Sequence, residues 1–458
     1  MVSPLRRWLR CGVVAAVIGP SVLVGAAPVM AVRPPAIASA PPGDAAPPGR
    51  AEQRTTCAVP VPTDRPTVAA RDAAALLDID RVHRIATGRG QRVAVIDTGV
   101  TPHPRLPRIV DGGDFVTGSS GLTDCDAHGT LVAGLIAARA DPADGFVGLA
   151  PDISLISIRQ SSAAFAPPRR DDDPAATVGS GYGSVAGLAA AVMRAVRLGA
   201  TVINISEVAC APASSSAKLD DAGLGAALRH AVDHNVVVVV AAGNVSADGG
   251  CRDQNPRGPR AAQWSTVRTA ATPAWFADDV LAVGSVDSGD GRPSAFSLAG
   301  PWVRIAAPGT ELTSLDPRPG RTGLVAALAG ADGAIPISGT SFAAAYVSAT
   351  AALVRERFPS LDARAVMRRI TATATGGGDG PDPRIGFGVV DPLAALTATT
   401  TDQPRTLTAR FHPAPAEPPP SRLPMIVSIG GTVLLGVMLA VTSRVARPRV
   451  APHHDDGL

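Results

Sequence analysis

The sequence predicts an α/β domain whose mostly parallel sheet is flanked by helices, and three observations carry that expectation. Short runs that are apolar throughout, Val236 to Ala242 (VVVVVAA) above all, read as strands buried on both faces. Stretches with helical spacing separate those runs, so strand and helix signals alternate from about Thr87 onward. The alternation lasts to about residue 400, which gives a domain of roughly 300 residues.

In chain order, Arg92 to Asp97 (RVAVID) and Ile153 to Arg159 (ISLISIR) read as buried strands. Ser184 to Leu198 reads as a helix, Ala200 to Ser206 as a strand, and Asp221 to Asn235 as a helix. Strands follow at Val236 to Ala242, Val280 to Val286 and Val303 to Ala306. Helices close the domain at Ser341 to Phe358 and Leu361 to Thr373, the second with Pro359-Ser360 as its expected N-cap. Two long loops interrupt the rhythm: Ser161 to Gly181, where Arg169-Arg170 faces Asp171-Asp172-Asp173, and Gly249 to Arg260. Upstream, residues 32–86 form a Pro-rich extension, extended or disordered at first, in which Asp72 to Arg84 has the spacing of a short amphipathic helix.

Both ends carry membrane-targeting signals. Arg6, Arg7 and Arg10 precede an uncharged stretch that ends in Val29-Met30-Ala31, so residues 1–31 read as a secretory signal peptide. Residues 401–423 are a Pro-rich linker, and residues 424–443 carry no charge. A helix of about 20 such residues, at ~1.5 Å each, spans a hydrocarbon core of ~30 Å. Arg444, Arg447 and Arg449 follow, which sets residues 444–458 as a cytoplasmic tail and the domain outside the inner membrane. Ala334 to Val354 is also uncharged, but Pro336 and Gly339 make it a loop entering a buried helix.

The formal charge of +3 and the lack of basic runs interleaved with aromatics argue against nucleic-acid binding. Beyond Cys11 in the signal peptide, Cys57, Cys125, Cys210 and Cys251 remain, an even set that suggests two disulfides in an exported chain. Four cysteines allow three pairings, among which the sequence does not choose. No Cys/His spacing suggests zinc, Asp171 to Asp173 lacks calcium-ligand spacing, and neither metal nor cofactor is expected.

Three short strings concentrate the chemistry. Asp97-Thr98-Gly99 ends the first strand, His128-Gly129-Thr130 opens an apolar helix, and Gly339-Thr340-Ser341 sits where a loop enters its helix. A serine hydroxyl is a poor nucleophile near neutrality and needs a base to take its proton. Histidine serves if a carboxylate fixes its tautomer, and open α/β sheets gather such groups at the carboxyl edge where Asp97 lies. Gly129 and Gly339 permit close approaches that a Cβ would block. Ser341 at a helix N-terminus brings its amide to a developing oxyanion, and Asn244, directly after the Val-rich strand, is a second donor. His83, His103, His230, His234 and His412 sit in no motif and read as structural or exposed, while His453 and His454 fall in the tail.

In this order the strings DTG, HGT, Ala241-Ala242-Gly243-Asn244 and Ser338-Gly339-Thr340-Ser341 resemble the subtilisin-like serine proteases. That resemblance implies a three-layer subtilisin-like domain with Asp97, His128 and Ser341 as catalytic triad and a protein or peptide substrate. A narrower likeness covers nearly the whole chain. The signal peptide, the Pro-rich extension with Cys57, the Asp124-to-Thr130 string, Val347 to Val354 and the single C-terminal span resemble the mycosins, membrane-anchored subtilases of type VII secretion systems. The likeness implies that Cys57 pairs with Cys125 and Cys210 with Cys251, pinning the extension beside the catalytic histidine. It implies docking to the type VII secretion membrane complex, through an enzyme or a scaffold role, and cleavage of few substrates. One stretch departs from the pattern: many subtilisins have Ser-Leu-Gly-Gly in the specificity cleft, whereas this chain has Ser206-Glu207-Val208-Ala209. Val208 is expected to narrow that cleft and favour a small residue before the cut, and Glu207 to add charge.

Overall fold

A computed structural model describes residues 31–38, 41–44, 51–168, 182–247, 250–258, 263–378 and 381–399. The expected signal peptide (apart from Ala31), linker, membrane span and tail, together with Arg169 to Asp173, His412, His453 and His454, lie outside the described residues. Among the described residues no helix is long and apolar enough to cross a membrane.

The centre is a nine-stranded sheet. In chain order its strands are β1 (Arg92–Asp97), β2 (Ile109–Asp114), β3 (Ser154–Arg159), β4 (Val202–Ile205) and β5 (Val237–Ala241). They continue with β6 (Leu281–Val286), β7 (Val303–Pro308), β8 (Thr375–Gly376) and β9 (Gly388–Val389). The spatial order is β8-β9-β7-β6-β5-β4-β1-β3-β2, and only the β8–β9 pair is antiparallel. Strands are added on one side of β1 by β3 and β2, then on the other by β4 onward, so the order reverses between β1 and β4. Ligands of open α/β sheets bind at such a switch point, beyond the strands' carboxyl ends.

The helices are α1 (Val68–Leu76), α2 (Ile79–His83), α3 (His128–Ala137), α4 (Val185–Arg197), α5 (Ala222–Asp233), α6 (Thr340–Arg357), α7 (Ala363–Ala372) and α8 (Pro392–Thr397). One pair, α3 with α6, and a second, α4 with α5, clothe the sheet. Every residue of β1 after Arg92 is buried, as a strand covered on both faces requires. Helix α6 is buried along its whole length from Thr340 to Val354 and lies against β4, β5 and β6. Its Ala-rich surface lets it pass through the centre of the domain with no polar face to solvate.

Local chemistry accounts for the boundaries. Ser184 caps α4 by accepting the Gly187 N–H at 3.0 Å. The cap of α7 is Asp362, which accepts the Ala365 N–H at 2.7 Å, and not Pro359-Ser360. A carboxylate placed to reach the third helical amide outcompetes a serine two residues earlier. The helix expected from Asp72 to Arg84 is two helices, because Asp78 takes a left-handed conformation at φ 51° and breaks the run. β2 escapes the sequence pattern altogether: Ile109–Asp114 is an edge strand of acids and glycines, with a single apolar face to bury.

The extension is woven into the domain. Its strand Pro60–Thr63 pairs antiparallel with Leu324–Gly330, on an outer position that tolerates two prolines. Glu52–Gln53 pairs with Phe165–Ala166, and Val32 and Ile37 pack against the core. Where the extension meets the domain, one carboxylate fixes the joint. Glu356 Oε2, on the last turn of α6, accepts the N–H groups of Thr87, Gly88 and Arg89 at 2.8, 2.6 and 3.0 Å. Glu356→Ala strips those amides of their acceptor and is expected to cost about 1–3 kcal/mol, read as a lower denaturant midpoint at unchanged slope.

Candidate active site

Each predicted triad residue sits where its element ends or begins. Asp97 closes β1 and is fully buried, His128 is the first residue of α3, and Ser341 is the second of α6. The His128 Nδ1–H donates to Asp97 Oδ1 at 2.7 Å. On the other side of the ring, Nε2 accepts the Ser341 hydroxyl at 2.8 Å. The Phe342 ring lies 4.9 Å from the imidazole and limits its rocking.

The start of α3 is unusual, because Ala127 adopts φ 66° and has no side chain to cap the helix. The orphan amides find other acceptors. The Gly129 N–H donates to Thr98 Oγ1 at 2.9 Å, and the Thr130 N–H to Asp124 Oδ2 at 2.8 Å. Asp124 also accepts the Thr98 and Thr130 hydroxyls, at 2.8 and 2.6 Å. One network thus ties the residue after Asp97 to the two residues after His128. Gly129 is forced by the same contact: a Cβ there would stand 2.0 Å from the Gly99 carbonyl oxygen. The sequence reading assigned Asp124 no role, although a carboxylate four residues ahead of the histidine was the available signal.

Asn244 follows β5 at the same edge. Its Oδ1 accepts the Thr340 N–H at 2.9 Å and the Thr340 hydroxyl at 3.0 Å. Because a backbone N–H must meet an oxygen, the amide orientation is fixed and Nδ2 is left free to donate. A Cβ built on Gly339 would lie 3.0 Å from Ser341 Oγ and 3.3 Å from Asn244 Nδ2. The glycine therefore keeps open the space between the serine oxygen and the amide donor.

Disulfides link Cys57 to Cys125 and Cys210 to Cys251. The first anchors the extension three residues before His128, where the Ala58 N–H also donates to the Cys125 carbonyl. Glu207 joins the site from beyond β4: one donor atom from each of Asp97, His128 and Glu207 lies within 4.8 Å of the others. Such spacing suits a metal ion, but the bonds to each other and to Ser341 commit Asp97 and His128 to the triad. Charge dominates the electrostatics. Burial opposes an imidazolium at His128, yet the Asp97 carboxylate, helped by Glu207 and Asp124, outweighs it and raises the ring above its ordinary value. Burial pushes the Asp124 carboxyl up to about 6 despite its threonine partners.

Among known proteins, residues 88–388 match the model of the subtilase family of peptidases. Mycosin-4 of Mycobacterium tuberculosis is 48% identical over 412 residues, covering 87% of each chain. The chain belongs to the mycosins, a group within the subtilases. A crystal structure of MycP1 from the ESX-1 type VII secretion system superposes with a TM-score of 0.73 at 45% identity, covering 81% of this chain and 98% of that one. A chain of an intact ESX-5 inner membrane complex matches at 38% identity and TM-score 0.67, over 90% of this chain and 98% of that one. The chain is accordingly a subtilisin-like serine peptidase of the mycosin family.

The charge balance at the imidazole is directly measurable. Glu207→Gln removes an anion that favours the imidazolium, so the His128 ring is expected to titrate lower by on the order of one pH unit. NMR titration of the ring nitrogens reads the shift, and an unmoved His128 contradicts the coupling.

Proposed function

We propose that the chain hydrolyses peptide bonds through an acyl-enzyme on Ser341. The observation that carries this reading is the unbroken hydrogen-bond line from Asp97 Oδ1 through both His128 nitrogens to Ser341 Oγ. In the reaction Ser341 Oγ attacks the scissile carbonyl while His128 Nε2 takes its proton. Asp97 holds the Nδ1–H tautomer and stabilises the imidazolium, which then returns the proton to the leaving amine. Negative charge develops on the carbonyl oxygen, facing Asn244 Nδ2 and the Ser341 amide at the N-terminus of α6. The opening kept by Gly339 is where that oxygen sits.

The proposal extends to the setting. The enzyme is anchored by the span at residues 424–443 after removal of residues 1–31, with residues 87–400 as protease domain on the outer side of the inner membrane. It works beside a type VII secretion complex, a reading supported by its 38% identity to a chain of the ESX-5 inner membrane assembly. Narrow specificity follows from Val208, whose Cγ1 stands 3.5 Å from the Cβ position of Gly243, in the turn leading to Asn244. A methyl group there fills space that a glycine leaves open, which favours a small residue before the cut. The second reading, a scaffold whose proteolysis is auxiliary, draws on the same likeness and on the extension strapped to the domain.

Two experiments test the chemistry. A fluorophosphonate probe is expected to label the full-length chain and to leave Ser341→Ala unlabelled; an unlabelled native chain overturns the reading. Asn244→Ala is expected to lower kcat by about 10²–10³-fold with little change in KM, a magnitude taken from a subtilisin. Ser341→Ala in cells decides between enzyme and scaffold: export that persists with the variant favours the scaffold.

A further inference from the structure

Glu207 is the charged group of the cleft that the triad chemistry leaves unused. It follows β4, which pairs with β1, so the sheet delivers it to the edge where Asp97 ends. Its carboxylate lies within 4.8 Å of donor atoms of both Asp97 and His128, and the side chain is only half-buried. Its surroundings are acidic. Burial first, then the charges of Asp97 and Asp126, push its carboxyl up to about 7. A carboxylate withdrawn from water normally faces a cation or several N–H donors.

Among the described residues Glu207 is hydrogen-bonded to neither. No arginine or lysine pairs with it, and the neighbouring Ser161 hydroxyl makes no hydrogen bond of standard geometry. His128 attracts Glu207 by its charge but offers it no hydrogen bond, because Asp97 takes one ring nitrogen and Ser341 the other. Asp126 adds negative charge and is itself occupied by the Ser162 hydroxyl and the amides of Ala163 and Ala164.

We propose that the missing cation arrives with the substrate: Glu207 recognises a lysine or arginine side chain close to the scissile bond, so the enzyme selects basic segments of its target protein. The inference rests on the serine-protease reading. The incoming ammonium or guanidinium neutralises Glu207 where the described residues supply no arginine or lysine, and the resulting pair leaves the charge beside His128 close to zero. A peptide with an acid at that position instead adds an anion to Asp97, Asp126 and Glu207, and is rejected.

The test divides a preparation of the full-length chain in detergent into two samples. One is probed with a fluorophosphonate to establish a reactive serine; the other, unprobed, is incubated with a mixed peptide library whose products are sequenced by mass spectrometry. Lysine and arginine are expected to be enriched roughly tenfold or more over aspartate and glutamate at one position near the cut. The preference is read as a ratio within each protein, so changes in overall rate do not enter. Glu207→Gln is expected to abolish the enrichment, and Glu207→Lys to invert it toward acids. A preparation whose probed sample labels but whose unprobed sample shows no basic preference overturns the inference and leaves the protease reading standing, as does a Gln variant that keeps the preference. A native chain that takes no label overturns both.

Discussion

The hydrogen-bonded tie between the end of β1 and the start of α3 is the constraint on which the site depends. Asp97 and His128 belong to different elements, and a dyad holds its geometry only if those elements cannot slide. Thr98 and Asp124 prevent sliding by accepting amides that the uncapped helix leaves exposed and by bonding to each other. The same contacts satisfy the helix terminus and place the histidine, so a stability requirement and a catalytic one are met by a single set of bonds. Asp97 then has no freedom either: its Oδ1 also accepts the Thr98 N–H at 2.7 Å.

Burying two carboxylates a short distance apart is costly unless their charges are compensated. The site divides the cost. Asp97 faces the imidazole, which grows more positive in the transition state, and Asp124 is fed by hydroxyls and an amide and needs no cation. Helix α6 contributes from the other side, since its amide end, with Ser341 as its second residue, is the positive end of the helix dipole. The acidic side and the positive helix terminus thus lie on either side of His128 and Ser341.

The extension contributes at a distance from the chemistry. It adds a strand to the Leu324–Gly330 sheet, seats Val32 and Ile37 on the core, and is bonded covalently to the loop that precedes His128. Strand pairing, apolar contact and a covalent link act on separate parts of the segment, so releasing it requires breaking all three. The domain boundary at residue 87 is therefore a change in sequence texture rather than a gap in packing.

The α/β fold class and the three residues that come together as Asp97, His128 and Ser341 were legible in the chain because local rules wrote them. A run such as Val237–Ala241 has only one way to be buried on both faces, and the strings around Asp97, His128, Asn244 and Ser341 each lie at an element terminus that apolar periodicity marks. Features with weaker local signals escaped. The edge strand Ile109–Asp114 lacks a continuous apolar run, the left-handed Asp78 divides an apparently single helix, and the cap of α7 depends on which carboxylate reaches an amide. Residues alone gave Glu207 as a charge and Cys57 as one of four cysteines expected to form two disulfides, and only the family likeness put them near the cleft and Cys125. Their meaning came from contacts between segments distant in sequence: Glu207 stands beside Asp97 because β4 pairs with β1, and Cys57 meets Cys125 because the extension folds back over the domain. Local preference sets the elements, but which side chains share a site follows from how those elements pack.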